Sequence, residues 1–283
     1  KKDGKTIIPG KSGVQFDVEK AKEIIGDGSQ ASYSIPVTIT QPTITEAVLR
    51  ERLFRDTLAR TATNLNEGNA PRTNNVRLAA KAINGTIMNP GDVFSYNTVV
   101  GERTQARGYQ EAHAYSGGKI IDEFGGGVCQ PSSTLYMAVL RADLEVVERH
   151  NHSFTVSYTP LGEDATVDYG NLDFRFANNT AYPIKILAEQ TDGQMIMTII
   201  GTKTSDKTVA TRTEVLETYK PETVEKQDSS LAAGETQVET SGITGYSTRT
   251  YKVITENGKT TEVLANKSTY SKRDEVVSVG TGS

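Results

Sequence analysis

The single cysteine, Cys129, follows a run of three glycines after one intervening residue and lies at the predicted start of a helix. Glycines occupy positions 125–127, and Leu135, Ala138 and Val139 follow at helical spacing. Glycines let the backbone approach a ligand closely, and a helix start offers unpaired amides and the positive end of the helix dipole. A thiol in that environment is stabilised as the thiolate. The segment therefore predicts a cysteine nucleophile.

Two of the three histidines, His150 and His152, lie downstream of the cysteine in one short segment. On a strand both would project from one face, so either imidazole is a candidate base, and we favour His152. Orientation of the imidazole requires a partner such as a carboxylate, for which Asp164 is the first choice and Asp168 and Asp173 are alternatives. A lone thiol at a helix start with imidazoles downstream has the order of a thiol acyl-transfer site.

Further residues are candidates to hold the substrate of such a site. Backbone amides around residues 128–130 would stabilise an oxyanion. The guanidinium of an arginine suits a carboxylate because its fork binds both oxygens. The residues predicted to bind substrate are Gly127, Gln130, Ser133, Asn97 and Arg103.

Two other interpretations compete with a cysteine enzyme. His150, His152 and Cys129, with His113 as a further candidate, are acceptable zinc ligands, which would make the site that of a metallo-amidase. Ligands from scattered segments make a weak zinc signature, so neither a metal nor a cofactor is predicted. A lone cysteine is also commonly a small buried hydrophobe, and the chain would then be a non-catalytic binding protein.

The composition is that of β-rich extracellular modules. Hydrophobic residues make up 36% of the 283 residues and charged residues 23%, and there is no tryptophan. A net charge of -4 gives no reason to expect nucleic acid as a partner. The length allows about two domains, and no apolar run reaches the roughly 18 residues that span a membrane. The start at Lys1 predicts a segment cut from a longer protein.

Helix and strand signals predict a small α+β N-terminal fragment, a central α+β domain and a C-terminal all-β module. In the fragment, Asp17 caps a helix over residues 18–25, and a strand covers residues 33–40. In the central domain, Asn74 or Asn75 caps a helix before the cysteine helix, which packs on antiparallel strands. Those predicted strands are 146–152, 154–158, 165–169, 172–176, 184–189 and 195–200.

Residues 204–283 consist of short segments rich in threonine, valine and tyrosine, separated by glycines. Asn257 and Gly258 stand between two alternating segments and predict a type I′ hairpin. The region has few large apolar residues, which indicates a thin, extended β-module without a catalytic constellation.

Four motifs of the central region resemble the VanW family. They are residues 89–97, residues 125–130 with 132–136, residues 148–153 and residues 162–167. Pro131 stands where the family usually has an aliphatic residue, and proline is accepted in a first helical turn. The C-terminal region resembles the five-glycine wall-associated domain. The first 48 residues resemble the last part of the peptidoglycan-binding module that often precedes VanW domains.

The resemblance implies domain limits of 1–48, 49–203 and 204–283 in a Gram-positive cell-wall protein. Its anchor to the outer face of the membrane would lie outside this sequence. The family was named from vancomycin-resistance clusters, and some members are implied to be L,D-transpeptidases, which crosslink peptidoglycan stem peptides through a catalytic cysteine. Here that implies an acyl-thioester on Cys129, with stem peptides and glycan strands as partners. A non-catalytic wall-binding scaffold or glycopeptide-tolerance accessory protein is the alternative, since both flanking modules suit it.

Overall fold

The computed structural model describes residue 3, residues 6–116 and residues 119–282, except the side chains of residues 114–121. The outermost residues of the predicted first and last domains therefore lie outside the described residues. The chain divides into two units, Lys1–Leu53 and Phe54–Ser283. The first unit extends beyond the predicted limit at residue 48 because it includes the second helix of the chain.

The first unit contains two short strands and two helices. They are β1 (Gly13–Gln15), α1 (Val18–Ile25), β2 (Thr38–Thr40) and α2 (Glu46–Arg52), and the two strands pair antiparallel. Asp17 caps α1 as predicted, because its carboxylate accepts the backbone N–H groups of Glu19 and Lys20 at 3.0 and 3.1 Å. The strand predicted over residues 33–40 is too long, and the unpaired part contains Pro36, which has no N–H to donate.

The second unit begins with the elements that precede the cysteine. They are β3 (Asp56–Asn64), α3 (Ala70–Ile83), β4 (Ile87–Met88), β5 (Val93–Ser95), α4 (Tyr96–Val100), a short 3₁₀ helix (Gln105–Arg107), β6 (Glu111–Ser116) and β7 (Lys119–Phe124). Asn69 caps α3, not Asn74 or Asn75, and its side chain accepts the N–H of Arg72 at 3.1 Å. Pro71 fits this first turn because its missing N–H needs no partner there.

The cysteine helix lies at the centre of the second unit. It is α5 (Cys129–Arg141), and β8 (Glu145–Glu148), β9 (Arg175–Ala177), β10 (Ile184–Thr191) and β11 (Gln194–Gly201) follow it. An antiparallel sheet has the order β3-β11-β10-β4, and α5 packs on β3 and β11. Nearly every side chain of α5 is buried, and Thr134 binds Thr61 and Thr63 of β3 at 2.8 Å. These contacts fix the start of the helix relative to the sheet.

The segment between β8 and β9 is mostly irregular, so the strands predicted over residues 154–158 and 165–169 are wrong. Side chains satisfy its backbone in place of a strand ladder. The hydroxyl of Ser133 accepts the N–H of Ala165 at 3.0 Å. The side-chain amide of Asn97 donates to the backbone carbonyls of Leu172 and Asp168 at 2.9 and 3.1 Å. The predicted strand over 146–152 ends at Glu148.

The remaining chain is all-β. Its strands are β12 (Thr208–Tyr219), β13 (Thr223–Ala232), β14 (Thr236–Thr240), β15 (Gly245–Glu256), β16 (Lys259–Tyr270) and β17 (Glu275–Gly282). They form two sheets, ordered β12-β15-β16 and β13-β17-β14, in which only β13 and β17 run parallel. The predicted hairpin is confirmed: β15 and β16 pair across Asn257 and Gly258, whose φ angles are 50° and 72°.

Candidate active site

Cys129 is the first residue of α5 and is half-buried. The preceding turn requires glycine for two reasons. Gly127 has a φ of 102°, a conformation that other residues rarely adopt. A Cβ on Gly126 would lie 2.2 Å from the carbonyl oxygen of Ala112, which belongs to β6. The glycine run therefore lets the chain turn tightly against β6 and present the thiol at the start of the helix.

The thiol of Cys129 contacts the segment that follows β8. Its Sγ lies 3.5 Å from the hydroxyl of Thr166 and 3.5 Å from both the backbone N and the O of Val167. Burial raises the pKa of the thiol, but the hydrogen bond and charge of His152, with the bonds to Val167 and Thr166, outweigh burial and bring the pKa below its ordinary value. The environment thus favours the thiolate, which is the nucleophilic form.

A buried carboxylate holds the imidazole of His152. Its Nδ1 lies 2.7 Å from Oδ2 of Asp164, and its backbone N–H donates to the same oxygen at 2.7 Å. Burial lowers the pKa of His152, but the hydrogen bonds and charges of Asp164 and Cys129 outweigh it and raise the pKa to about 9. The imidazole is therefore protonated at neutral pH, and Nε2 is the ring nitrogen that Asp164 leaves unbound.

Asp164 is the carboxylate that this geometry selects from the three candidates. It is 1% exposed. Burial raises its pKa, but the hydrogen bond from His152 and the charge of Arg149 bring the pKa below its usual value. Asp173 instead accepts the hydroxyl of Ser95 at 2.6 Å and so belongs to the cap of α4. Asp168 lies in an exposed turn.

The other two histidines are paired with carboxylates other than Asp164. The side chain of His150 is 41% exposed and its Nε2 lies 3.1 Å from Glu148. His113 on β6 is exposed and its Nδ1 lies 2.6 Å from Asp122. Because β8 ends before this segment, His150 and His152 do not share a strand face. Within the described residues no group of three His, Cys, Asp or Glu side chains could hold a metal ion, so the zinc interpretation has no ligand set there.

Two of the predicted substrate-binding side chains already have partners inside the protein. Gln130 is buried and donates to the hydroxyl of Thr63 at 2.9 Å and the carbonyl of Asn64 at 2.8 Å. Ser133 is buried and donates to the carbonyl of Cys129 at 2.8 Å. A direct contact with substrate would require these bonds to break. Both side chains instead hold the first turn of α5 in place.

The predicted oxyanion amides are partly used within the turn. The N–H of Val128 donates to Gly125 at 3.1 Å, and the N–H of Gln130 donates to Gly127 at 3.0 Å. The amide of Cys129 lies between them at the first helical residue, where the helix supplies no acceptor. It is therefore the backbone donor best placed to stabilise the oxyanion that forms when the sulfur attacks a carbonyl group.

Arg103 and Asn97 form one hydrogen-bonded unit, in which Arg103 packs against Gly125 of the glycine turn. Nη1 of Arg103 donates to Oδ1 of Asn97 at 2.8 Å, and Tyr96 and Tyr169 place their rings 5.6 and 5.7 Å from the guanidinium. Nε and Nη2 of Arg103 are buried and have no hydrogen-bond partner among the described residues. In arginines generally, Nε and Nη2 are the two donors on the edge of the guanidinium that can bind both oxygens of a carboxylate.

Three side chains that contact residues of the site are absent from the residues predicted by sequence. Arg72 of α3 donates to Gln130 at 2.7 Å, and Tyr158 places its hydroxyl 3.4 Å from Nε2 of His152. Burial and the charge of Cys129 raise the pKa of Tyr158 well above its ordinary value, so its hydroxyl stays protonated. Arg149 lies within the motif at 148–153, which could have drawn attention to it. Neither Arg72 nor Tyr158 carries a comparable signal in the sequence.

Comparison with known proteins places both regions in families. The family model described as VanW like protein matches residues 71–200, and the model described as G5 domain matches residues 210–282. The chain thus contains a VanW-like domain followed by a C-terminal G5 domain. Cys129, His152 and Asp164 all lie in the first of these.

Two curated proteins are similar to this chain. The uncharacterized protein YoaR of Bacillus subtilis (strain 168) is 37% identical over 201 residues, which cover 70% of this chain and 66% of that protein. The vancomycin B-type resistance protein VanW of Enterococcus faecalis (strain ATCC 700802 / V583) is 29% identical over 134 residues, 46% of this chain and 49% of that protein. The chain thus spans less than two thirds of either relative.

Among solved structures, the G5 domain of an IgA1 protease matches 28% of this chain and 98% of its own length, with 17% identity and a TM-score of 0.21. The VanW-like and G5 domains together indicate a cell-wall-related role and a cell-wall-associated or extracellular location. Of the helices in the described part of the chain, none combines the length and apolar character that crossing a bilayer requires.

Proposed function

We propose that this protein is a cysteine-dependent L,D-transpeptidase that crosslinks peptidoglycan stem peptides. The observation that carries the proposal is a thiol whose pKa is lowered by the neighbouring His152, whose imidazole a buried carboxylate holds at 2.7 Å. A nucleophile, a neighbouring base and an acid that orients the base are the parts of a thiol acyl-transfer site. The cell-wall role of the two domain families supplies the substrate class.

The first half of the proposed reaction cleaves the donor stem. The Cys129 thiolate attacks the carbonyl carbon between the third residue and the terminal D-alanine, and the amide of Cys129 stabilises the resulting oxyanion. The His152 imidazolium gives its Nε2 proton to the amine of D-alanine as the carbon–nitrogen bond breaks. D-alanine leaves, and the donor remains as a thioester on Cys129. Asp164 keeps the ring oriented throughout.

The second half forms the crosslink. The amine of an acceptor stem attacks the thioester carbonyl and transfers a proton to Nε2 of His152, which is neutral after the first half. The carbon–sulfur bond breaks, the new amide joins the two stems, and the thiolate–imidazolium pair is regenerated. The phenolic hydroxyl of Tyr158 lies beside the ring on this path, 3.4 Å from Nε2.

Arg103 is the proposed binding group for the terminal carboxylate of the donor stem. Its unpaired Nε and Nη2 offer two parallel donors, and Asn97 fixes the guanidinium from the opposite side through Nη1. Tyr96 links this unit to the nucleophile, since its hydroxyl donates to the carbonyl of Val128 at 2.7 Å. Tyr169 is 50% exposed, so its ring is the neighbour that can move aside to admit a carboxylate.

Replacement of Arg103 by glutamine is expected to raise KM for a tetrapeptide donor by about tenfold or more, because a charge-assisted bidentate bond is lost. A donor that ends in a carboxamide should bind wild type weakly and show no further loss with Arg103→Gln. Steady-state kinetics with both donors measures this. Arg107→Gln is the matched control, since Arg107 is exposed and its Nη1 donates to the backbone of Glu102. Equal KM values for wild type and Arg103→Gln would contradict the assignment.

Incubation with purified tetrapeptide muropeptides, followed by mass spectrometry, tests the proposed function. The expected products are dimers crosslinked between two third-position residues and free D-alanine. D-alanine release without dimers would indicate a carboxypeptidase. Binding to sacculi without either product would indicate a scaffold or a glycopeptide-tolerance accessory protein.

The finer location and organisation belong to the same proposal. The protein would act on the outer face of the membrane of a Gram-positive bacterium, with stem peptides and glycan strands as partners. Residues 1–48 would be the end of a peptidoglycan-binding module, residues 49–203 the catalytic domain and residues 204–283 the wall-associated module.

A further inference from the structure

The last strand of the sheet β12-β15-β16 reaches the carboxylate of the candidate site. Tyr270, at the end of β16, is 1% exposed, and its hydroxyl donates to Oδ1 of Asp164. The same hydroxyl accepts the backbone N–H of Gly162 at 2.8 Å. Burial and the charge of Asp164 raise the pKa of Tyr270, so the hydroxyl keeps its proton and remains a donor. A G5 residue thus contacts the acid of the VanW-like domain directly.

Two more residues of β16 hold the second partner of this carboxylate. Arg149 donates to Oδ1 of Asp164 at 2.9 Å and to the backbone carbonyl of Asp164 at 2.7 Å. Its Nη1 donates to the hydroxyl of Ser268 at 2.7 Å, and that hydroxyl donates to Oδ1 of Asn266 at 3.0 Å. Positions 266, 268 and 270 alternate along β16, so one face of the strand carries all three contacts.

The backbone on both sides of His152 is also tied to the end of β16. The side chain of Asn151 donates to the carbonyl of Thr269 at 2.8 Å. On the other side, the N–H of Ser271 donates to the carbonyl of Ser153 at 2.7 Å. The residues beside His152 and the carboxylate of Asp164 are therefore hydrogen-bonded to the same short stretch of the G5 domain, residues 269–271.

The hydrogen bonds of Asp164 leave its carboxylate with one orientation. Oδ2 accepts two bonds from His152, and Oδ1 accepts bonds from Arg149 and Tyr270. Four donors occupy the lone pairs of a carboxylate that is almost fully buried, and a charged group so placed is costly to leave without any of them. Rotation of the carboxylate away from Nδ1 would break bonds on both oxygens at once.

We infer that the G5 domain completes the Cys129–His152–Asp164 site, with Tyr270 as the positioning residue that holds the Asp164 carboxylate against His152. The inference rests on the proposed roles of His152 and Asp164. It gives the C-terminal domain a part in the chemistry in addition to its association with the cell wall. Replacement of this domain by an unrelated wall-binding module would remove Tyr270 from the carboxylate and Ser268 from Arg149.

The Tyr270→Phe variant tests this inference in the full chain. Cys129 is the only cysteine, so the rate of its alkylation by iodoacetamide, measured against pH, reports the thiolate without requiring transpeptidation. Without the hydroxyl, Arg149 is the one donor to Oδ1 that remains among the described residues, so the carboxylate is held less firmly against His152 and the imidazolium loses part of its support. The apparent pKa of the thiol should rise, and alkylation at neutral pH should slow by roughly five- to tenfold. The rate of crosslinking should fall with it.

Tyr246→Phe is the matched control. Tyr246 pairs with Tyr270 across β15 and β16, and within the described residues no hydrogen bond involves its hydroxyl. It should alkylate as wild type does. If Tyr270→Phe does not fold, Ser268→Ala is measured in the same way, because it removes the outer contact of Arg149 and leaves the contacts of Arg149 with Asp164 in place.

The outcomes separate this inference from the proposed function. The inference is overturned if the folded Tyr270→Phe variant is alkylated with the pH profile of wild type, even if wild type forms crosslinks. If Tyr270→Phe does not fold, the same result in Ser268→Ala overturns it. A shifted profile in a protein that forms no crosslinks would support the positioning role and contradict the transpeptidase. The charged and titratable side chains that surround the pair and stay unchanged in these variants are Arg72, Arg149 and Tyr158.

Discussion

Replacement of Cys129 by alanine is expected to abolish the formation of crosslinked muropeptide dimers and the release of D-alanine. The proposed reaction runs through a thioester on this sulfur, and the chain has no other cysteine to replace it. Loss of the nucleophile of a catalytic triad lowers turnover by about 10⁶-fold in a well-studied protease, so activity should fall below detection. Mass spectrometry of the muropeptide products measures the effect.

Two controls accompany this variant. Iodoacetamide treatment of wild type should have the same effect, because Cys129 is the only thiol. Thermal unfolding and binding to sacculi should remain close to wild type, since Cys129 is only partly buried and packs against the core from outside it. Dimer formation by Cys129→Ala at the wild-type rate would rule out covalent catalysis by the cysteine.

Replacement of Asp164 by asparagine is the second change with a large expected effect. An amide cannot stabilise the imidazolium and favours the wrong tautomer of the ring, which costs about 10⁴-fold in the serine protease triad. The pKa of His152, raised to about 9 with the help of Asp164, should fall. The imidazolium would then lose its proton at lower pH, so the alkaline limit of activity should move down and the thiol pKa should move up.

Rates measured from acid to alkaline pH, with Cys129 alkylation in parallel, would record both shifts. Asp168→Asn is the control, because Asp168 is an exposed carboxylate in a nearby turn and its side chain accepts a bond from Asn171 at 3.2 Å. It should keep the wild-type pH profile. A wild-type rate and an unmoved alkaline limit in Asp164→Asn would exclude Asp164 as the orienting acid.

The sequence predicted those parts of the structure that depend on patterns among neighbouring residues. A lone cysteine between glycines and a helical pattern is visible without any fold, and α5 does begin at Cys129. The type I′ hairpin at Asn257 and Gly258 was visible for the same reason, because both residues favour a positive φ. Nothing in the neighbouring sequence favours His152 over His150 as the base. The difference between them depends on where β8 ends, because the strand stops at Glu148 and the two histidines therefore do not share a strand face.

The missed parts depend on contacts between distant segments. Tyr270 lies 106 positions from Asp164, and Ser268 lies 119 positions from Arg149. The alternation of side chains along β16 predicts a strand, but it does not predict which part of the protein one face of that strand contacts. The strands predicted over residues 154–158 and 165–169 failed because apolar alternation cannot reveal that side chains such as Ser133 will satisfy the backbone there.

Trapping of the acyl-enzyme tests the central claim most directly. Wild-type protein is mixed with a tetrapeptide donor that lacks a free side-chain amine, so that no acceptor is present, and its intact mass is measured after rapid acid quenching. We expect a mass increase equal to the donor minus D-alanine, located on Cys129 and removed by hydroxylamine. An unmodified Cys129 in a preparation that nevertheless releases D-alanine from the same donor would contradict catalysis through this thiol.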